Sequence, residues 1–267
     1  MPIQADPLRQ DLCPAPLAPL VSTRGDRRTL EFIPGNVQSV MRLSRPSALL
    51  LDYTRAMMCF ALFVPRPRHI LMVGLGGGSL AKFCYRHFPQ ARITVVELRA
   101  DVIALREQFC VPPDDGRFQV VHGDAAAYLA GAPDSVDVLV VDGFDESGLP
   151  PALGSSRFYA DCRRALRHDG VLAANVFSYD PRYPAMLGRL RLTFGDQVSW
   201  LDKVAGNNRI LFAVKAPLDT DPAALPSTRA QAVQRWMARR HGRGIGIVNR
   251  LLVRGLVAYL TRRKYYS

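Results

Sequence analysis

His69-Ile70-Leu71-Met72-Val73-Gly74-Leu75-Gly76-Gly77-Gly78-Ser79 is the stretch on which the fold turns. Its first half is apolar without alternation, which reads as a strand covered on both faces, the habit of parallel sheets flanked by helices. Glycines then let the backbone approach a ligand closely and adopt positive φ, and Ser79 opens a helical run to Phe88. Outward from this unit the alternation repeats. Strand-like runs begin at Arg92, Arg117, Val136 and Gly170, separated by helical stretches over 100–109, 124–130 and 155–167, with another helix over 182–194. Two last strands, from Val198 and Arg209, follow one another with Asn207-Asn208 as their turn.

Seven strands ending in a hairpin predict an α/β chain with a methyltransferase-type, Rossmann-like sheet rather than the six-stranded dinucleotide-binding one. Around it the chain divides into four parts. Residues 1–27 are rich in proline and polar residues and read as a leader. Residues 28–64 hold a small N-terminal β element, RTLEFI and VQSVMRL about Pro34-Gly35-Asn36, followed by one apolar helix from Tyr53 to Val64 that Pro65 closes. The nucleoside-binding body spans 65–216, and 217–267 form a basic helical tail.

Charge separates the tail from the body. The 267 residues carry a formal +12, which by itself invites nucleic acid or an acidic membrane. Residues 217–267 contain ten Lys/Arg against two Asp, net +8, so the body is only mildly basic. Cys13, Cys59, Cys84, Cys110 and Cys162 are odd in number and never in a CxxC pair, which argues against a disulfide framework or zinc ribbon and for a reducing cytoplasm. The start of the chain lacks the charged head and apolar run of a secretory signal, and no eighteen-residue apolar run is present. Five scattered histidines predict no metal site.

The residues that carry chemistry lie at the carboxyl ends of the first strands, where open α/β sheets bind ligands. Gly74, Gly76, Gly77 and Gly78 form the close-approach loop. Glu97, 23 residues after Gly74, ends the second strand where a carboxylate accepts both hydroxyls of a ribose. Asp124 follows the third strand and is placed to accept from an adenine amino group. Three adjacent glycines and an acid after the third strand favour an adenosyl sulfonium over a dinucleotide, which needs a seat for its pyrophosphate.

These segments resemble the spermidine/spermine synthases, the polyamine aminopropyltransferases, over about Arg28 to Lys215: GLGGGS, VVEL, HGDAAAYL, LVVDGFDES and SSRFYADCRRALRHDGVLAANVFS. The resemblance implies that Asp142 takes the proton of the attacking amine, that Asp145 is the second acid of the same loop, and that Tyr53 stands beside the substrates. It also implies decarboxylated S-adenosylmethionine as co-substrate, no prosthetic group, and a small diamine such as putrescine as acceptor. Three positions depart from the family pattern. Gly77 stands where the glycine loop has an Asp, Glu146 where the acidic loop has a Pro, and Thr54 where His or Gln follows the tyrosine. Two other readings therefore accompany aminopropyl transfer: a methyltransferase of the same fold using S-adenosylmethionine, and a non-catalytic binding module.

In the tail, Ser227 is expected to cap one helix running to about His241. A second is expected with Arg250 and Arg254 on one side and Val248, Leu251, Leu252, Leu256 and Leu260 on the other. Packing on the sheet domain or on a second copy, as a homodimer, is the preferred reading, with acidic membrane or nucleic acid as the alternatives.

Overall fold

The computed structural model describes residues 18–132, 134–143, 148–195, 197–216, 228–239 and 246–262. Its N-terminal part is a three-stranded antiparallel sheet of β1 (Leu20–Arg24), β2 (Arg27–Ile33) and β3 (Asn36–Arg42). Residues 20–24 thus belong to the sheet and not to the expected leader, whose residues 1–17 lie outside the described ones. Pairing with β2 satisfies the backbone groups on the inner side of the segment, and the Ser22 and Thr29 hydroxyls bond across the pair at 2.8 Å.

The main sheet has the order β6-β5-β4-β7-β8-β10-β9, built from β4 (His69–Val73), β5 (Arg92–Glu97), β6 (Phe118–His122), β7 (Val136–Val141), β8 (Leu166–Phe177), β9 (Val198–Ala205) and β10 (Asn208–Val214). Strands β4 to β8 pair in parallel, while β10 runs antiparallel to both β8 and β9. Chain order reverses between β4 and β7, which fixes where a ligand site forms. The terminal turn is Gly206-Asn207, with Gly206 at φ +60°, and Asn208 is already in the strand rather than in the turn.

Alternate residues of the central strands feed two cores. One side takes Ile70, Met72, Ile93, Val95, Val138 and Val140. It is covered by α1 (Asp52–Met57), α2 (Phe60–Phe63), α3 (Ser79–His87), α8 (Arg229–Ala238) and α9 (Gly246–Arg262). The other takes Leu71, Val73, Val96, Leu139 and Val141 under α5 (Ala125–Gly131), α6 (Ser156–Ala165) and α7 (Tyr183–Phe194). Burial on both faces is why these strands read as unbroken apolar runs.

Several elements depart from their expected limits for identifiable reasons. The helix expected over 53–64 is divided at Met58-Cys59, where the bonds Cys59 N–H to Ala56 and Ala61 N–H to Met58 tighten to i→i+3. The helix expected over 100–109 survives only as α4 (Ala100–Ala104). Beyond it the Phe109 carbonyl accepts from the buried Lys82 ammonium at 2.6 Å, and Cys110 turns to φ +52°. Burial brings that ammonium's pKa down to about 8. In the tail, Thr228 caps α8 through the Gln231 N–H, while Ser227 lies outside the described residues.

The inward face of α9 is also different from the expected one. Asn249, Val253 and Leu260 are buried, with Leu256 and Val257 partly so, whereas Leu251 is 62% exposed and Val248 44%. The tail therefore packs on the sheet domain, α8 and α9 both against β9, through Val253 rather than Leu251. A buried polar contact helps to fix its position: the Ser199 hydroxyl donates to Gln234 Oε1 at 2.7 Å.

Candidate active site

At the carboxyl ends of β4 to β7 the strands are stitched in register. Gly74 N–H donates to the Val96 carbonyl, Gly123 N–H to Glu97, and Asp142 N–H to Val73, each at 2.9 Å. Val73 lies opposite Val141, so the glycine loop and Asp142 emerge side by side. Gly74 sits at φ +92°, and a Cβ there would drive into the Asp142 carbonyl oxygen. Gly76 and Gly78 are likewise at positive φ, +50° and +65°.

Glu97 is 8% exposed and braces this loop from below. Its Oε2 accepts from Leu75 N–H at 2.7 Å and its Oε1 from Arg99 N–H at 2.8 Å. Each oxygen keeps a further acceptor direction, so the carboxylate can bind a diol while holding the loop. Asp124 is the N-cap of α5, its Oδ1 accepting from Ala127 N–H at 2.7 Å, and the exposed side chain keeps its other oxygen for a ligand.

Asp142 is the centre of a polar chain on the other side of the loop. Val141 lies opposite Ala174 in the β7–β8 pair, which sets Asn175 beside Asp142. Asn175 Nδ2 donates to Asp142 Oδ1 at 3.0 Å, and Asn208 Nδ2 donates to Asn175 Oδ1 at 2.8 Å. The Tyr53 hydroxyl, brought in by α1, donates to the same carboxylate. Burial pushes the Asp142 pKa up, and the hydrogen bonds from Asn175 and Tyr53 oppose that shift. Burial and the neighbouring Asp142 raise the Tyr53 phenol well above its ordinary value, so it remains a neutral donor.

Of the residues picked from sequence, the structure brings together Tyr53, Gly74 and Asp142, and sets Glu97 under the loop with Asp124 at the next strand end. Asp145 and Glu146 lie outside the described residues. Thr54 turns back to its own helix, donating to the Leu51 carbonyl at 2.6 Å. Asn175 has no role in the sequence reading of the site, and Asn208 enters it only as a turn residue. Asn175 carries a visible signal, an amide inside the otherwise apolar run GVLAANVF, 3% exposed.

Gly77 has a structural reason to lack the family acid. A Cβ there would stand 2.5 Å from Ser39 Oγ and 2.9 Å from Phe109 Cδ1, because β3 and the turn after α4 close over the loop. Introducing Gly77→Asp alone should therefore cost about 1–3 kcal/mol. A double-mutant cycle with Ser39→Gly, followed by urea unfolding, should return a favourable coupling of about 1 kcal/mol or more.

A concavity lies at the opposite ends of β7 and β8, between α2 and the tail helices, lined by residues including Asp137, His168 and Arg229. It has no glycine loop, and Asp137 Oδ2 is already taken by the Arg68 and His69 N–H groups at 2.7 and 2.8 Å. Among the described residues no cluster of three metal-ligating side chains occurs.

A glycine loop at the switch point, a carboxylate at each of the next two strand ends and a polar-bonded acid after the fourth thus lie together on a sheet of the methyltransferase type. The spermine/spermidine synthase domain model matches residues 50–179. A polyamine aminopropyltransferase of Neisseria meningitidis serogroup A is 37% identical over 198 residues, 73% of this chain and 75% of that one. The chain belongs to the spermine/spermidine synthase family and is an aminopropyltransferase-like transferase. A probable spermidine synthase from Corynebacterium glutamicum shares the fold, with a TM-score of 0.65 at 23% identity over 93% of both chains. The mouse eEF1A lysine and N-terminal methyltransferase is 32% identical over 195 residues, 68% of this chain but 28% of that protein.

Proposed function

We propose that the chain moves an aminopropyl group from decarboxylated S-adenosylmethionine to a small diamine such as putrescine. The observation that carries this is the placement of Asp142, a carboxylate bonded by Tyr53 and Asn175 immediately beside the glycine loop. Gly74, Gly76, Gly77 and Gly78 would face the nucleoside, Glu97 its ribose and Asp124 its adenine. Asp142 orients the acceptor amine and takes its proton, with Asp145 as a second acid for the distal ammonium.

The chemistry needs little more from the protein. As the amine nitrogen bonds to the carbon beside the sulfonium, the carbon–sulfur bond breaks, and its electron pair leaves with sulfur as neutral methylthioadenosine. The nitrogen's proton passes to Asp142. Orientation and general-base action are the contributions the side chains make.

The test is product formation with purified protein, the decarboxylated donor and putrescine. Methylthioadenosine and spermidine should appear together, and calorimetry should show tighter binding of the decarboxylated donor than of S-adenosylmethionine. Gly77 favours a second reading, methyl transfer, because no side chain there meets an ammonium group. Preference for the carboxylated nucleoside without methylthioadenosine release would establish that reading instead. Pairing into a homodimer, checked by light scattering, and a reducing cytoplasm suited to the unpaired Cys59, Cys84, Cys110 and Cys162 belong to the same proposal.

A further inference from the structure

We propose that the outer face of α9 docks on an anionic lipid bilayer. Asn249, Val253, Leu256 and Leu260 turn inward at spacings of four, three and four, and the complementary stripe faces water. That stripe is Ile247, Leu251, Arg254, Ala258 and Arg262, flanked by Val248, Gly255 and Arg250. Ile247 is 75% exposed and Leu251 62%, so the helix presents branched apolar side chains although its inner face is already packed.

Charge decides the occupant. Asp221 is the last acidic residue of the chain, and ten Lys/Arg follow it. A second copy seated face to face would set Arg254 and Arg262 against their equivalents, and α9 itself holds no carboxylate to offset them. A nucleic-acid backbone would take the arginines and leave Ile247 and Leu251 in water. An anionic headgroup layer satisfies both. Guanidinium groups reach the phosphate level on their long stems, while Ile247, Val248 and Leu251 enter the acyl boundary. No helix among the described residues is long and apolar enough to cross a membrane, so the contact lies in the interface plane.

The full chain should co-sediment with vesicles of phosphatidylcholine and phosphatidylglycerol but not with phosphatidylcholine alone, and added salt should weaken binding. Leu251→Asp should lower partitioning about tenfold or more. It should not change the melting temperature, because the side chain lies outside the core. Arg254→Gln and Arg262→Gln should each lower partitioning about fivefold without removing exposed apolar side chains. Equal binding to neutral vesicles, or no loss with Leu251→Asp, would overturn the proposal. So would a dimer dissociated by Leu251→Asp in a protein that ignores vesicles, or binding to short RNA without binding to lipid.

Discussion

Asp142→Asn should abolish turnover while leaving a better-folded protein. Removing a positioned general base costs about 10²–10⁴-fold in rate, and here the loss should fall on kcat, with donor affinity measured by calorimetry nearly unchanged. Stability should move the other way. Burial raises the Asp142 pKa, so the folded state is disfavoured once that group ionises. Wild-type stability is thus lost as pH rises from the unfolded to the folded pKa of Asp142, and the loss remains at neutral pH. Asparagine keeps one acceptor for Asn175 and carries no charge. Its melting temperature should exceed that of the wild type at neutral pH, and the gap should close in acid. In the active enzyme the same group sets the acid limb of the rate profile. Tyr53→Phe or Asn175→Ala removes a donor to the carboxylate and should shift that limb to higher pH.

Glu97→Gln should be the more damaging change for binding. Both carboxylate oxygens accept a backbone N–H, from Leu75 and Arg99. A glutamine offers one oxygen and one NH2, so a donor must face a donor in a site with little access to water. That leaves an unsatisfied buried group, costing about 1–3 kcal/mol in urea unfolding. It also loosens the Leu75 amide that positions the glycine loop, and it withdraws an acceptor from the ribose. Nucleoside affinity by calorimetry should fall about 10²-fold or more. An unchanged affinity would show that the ribose is held elsewhere, and would remove Glu97 from the site.

What could be read from sequence divides along physical lines. The strands of the main sheet were legible because burial on both faces leaves a dense apolar signal, and the hairpin at its end because Val198 and Arg209 open runs with no helix between. Gly74, Glu97 and Asp124 were legible because the strand ends fix their spacing. Asn175 and Asn208 were not, since their meeting depends on the register of β8 against β7 and β10, a property of pairing that no local pattern carries. Strand β1 was hidden by its polar composition; it is an edge strand held by backbone bonds to β2. In α9 both faces carry branched apolar side chains, so periodicity found the helix but could not distinguish the Val253 side from the Leu251 side.

Ser39 belongs to the N-terminal sheet, yet it fills the place beside Gly77 where an acidic side chain would have to begin. The two positions are tied by exclusion. From this sequence, the glycine-loop acid of the family cannot be acquired in one substitution without strain. The packing between hairpin and loop thus makes the residue at 39 a condition on what position 77 can accept, so that a change in the N-terminal sheet alters which side chains the glycine loop tolerates.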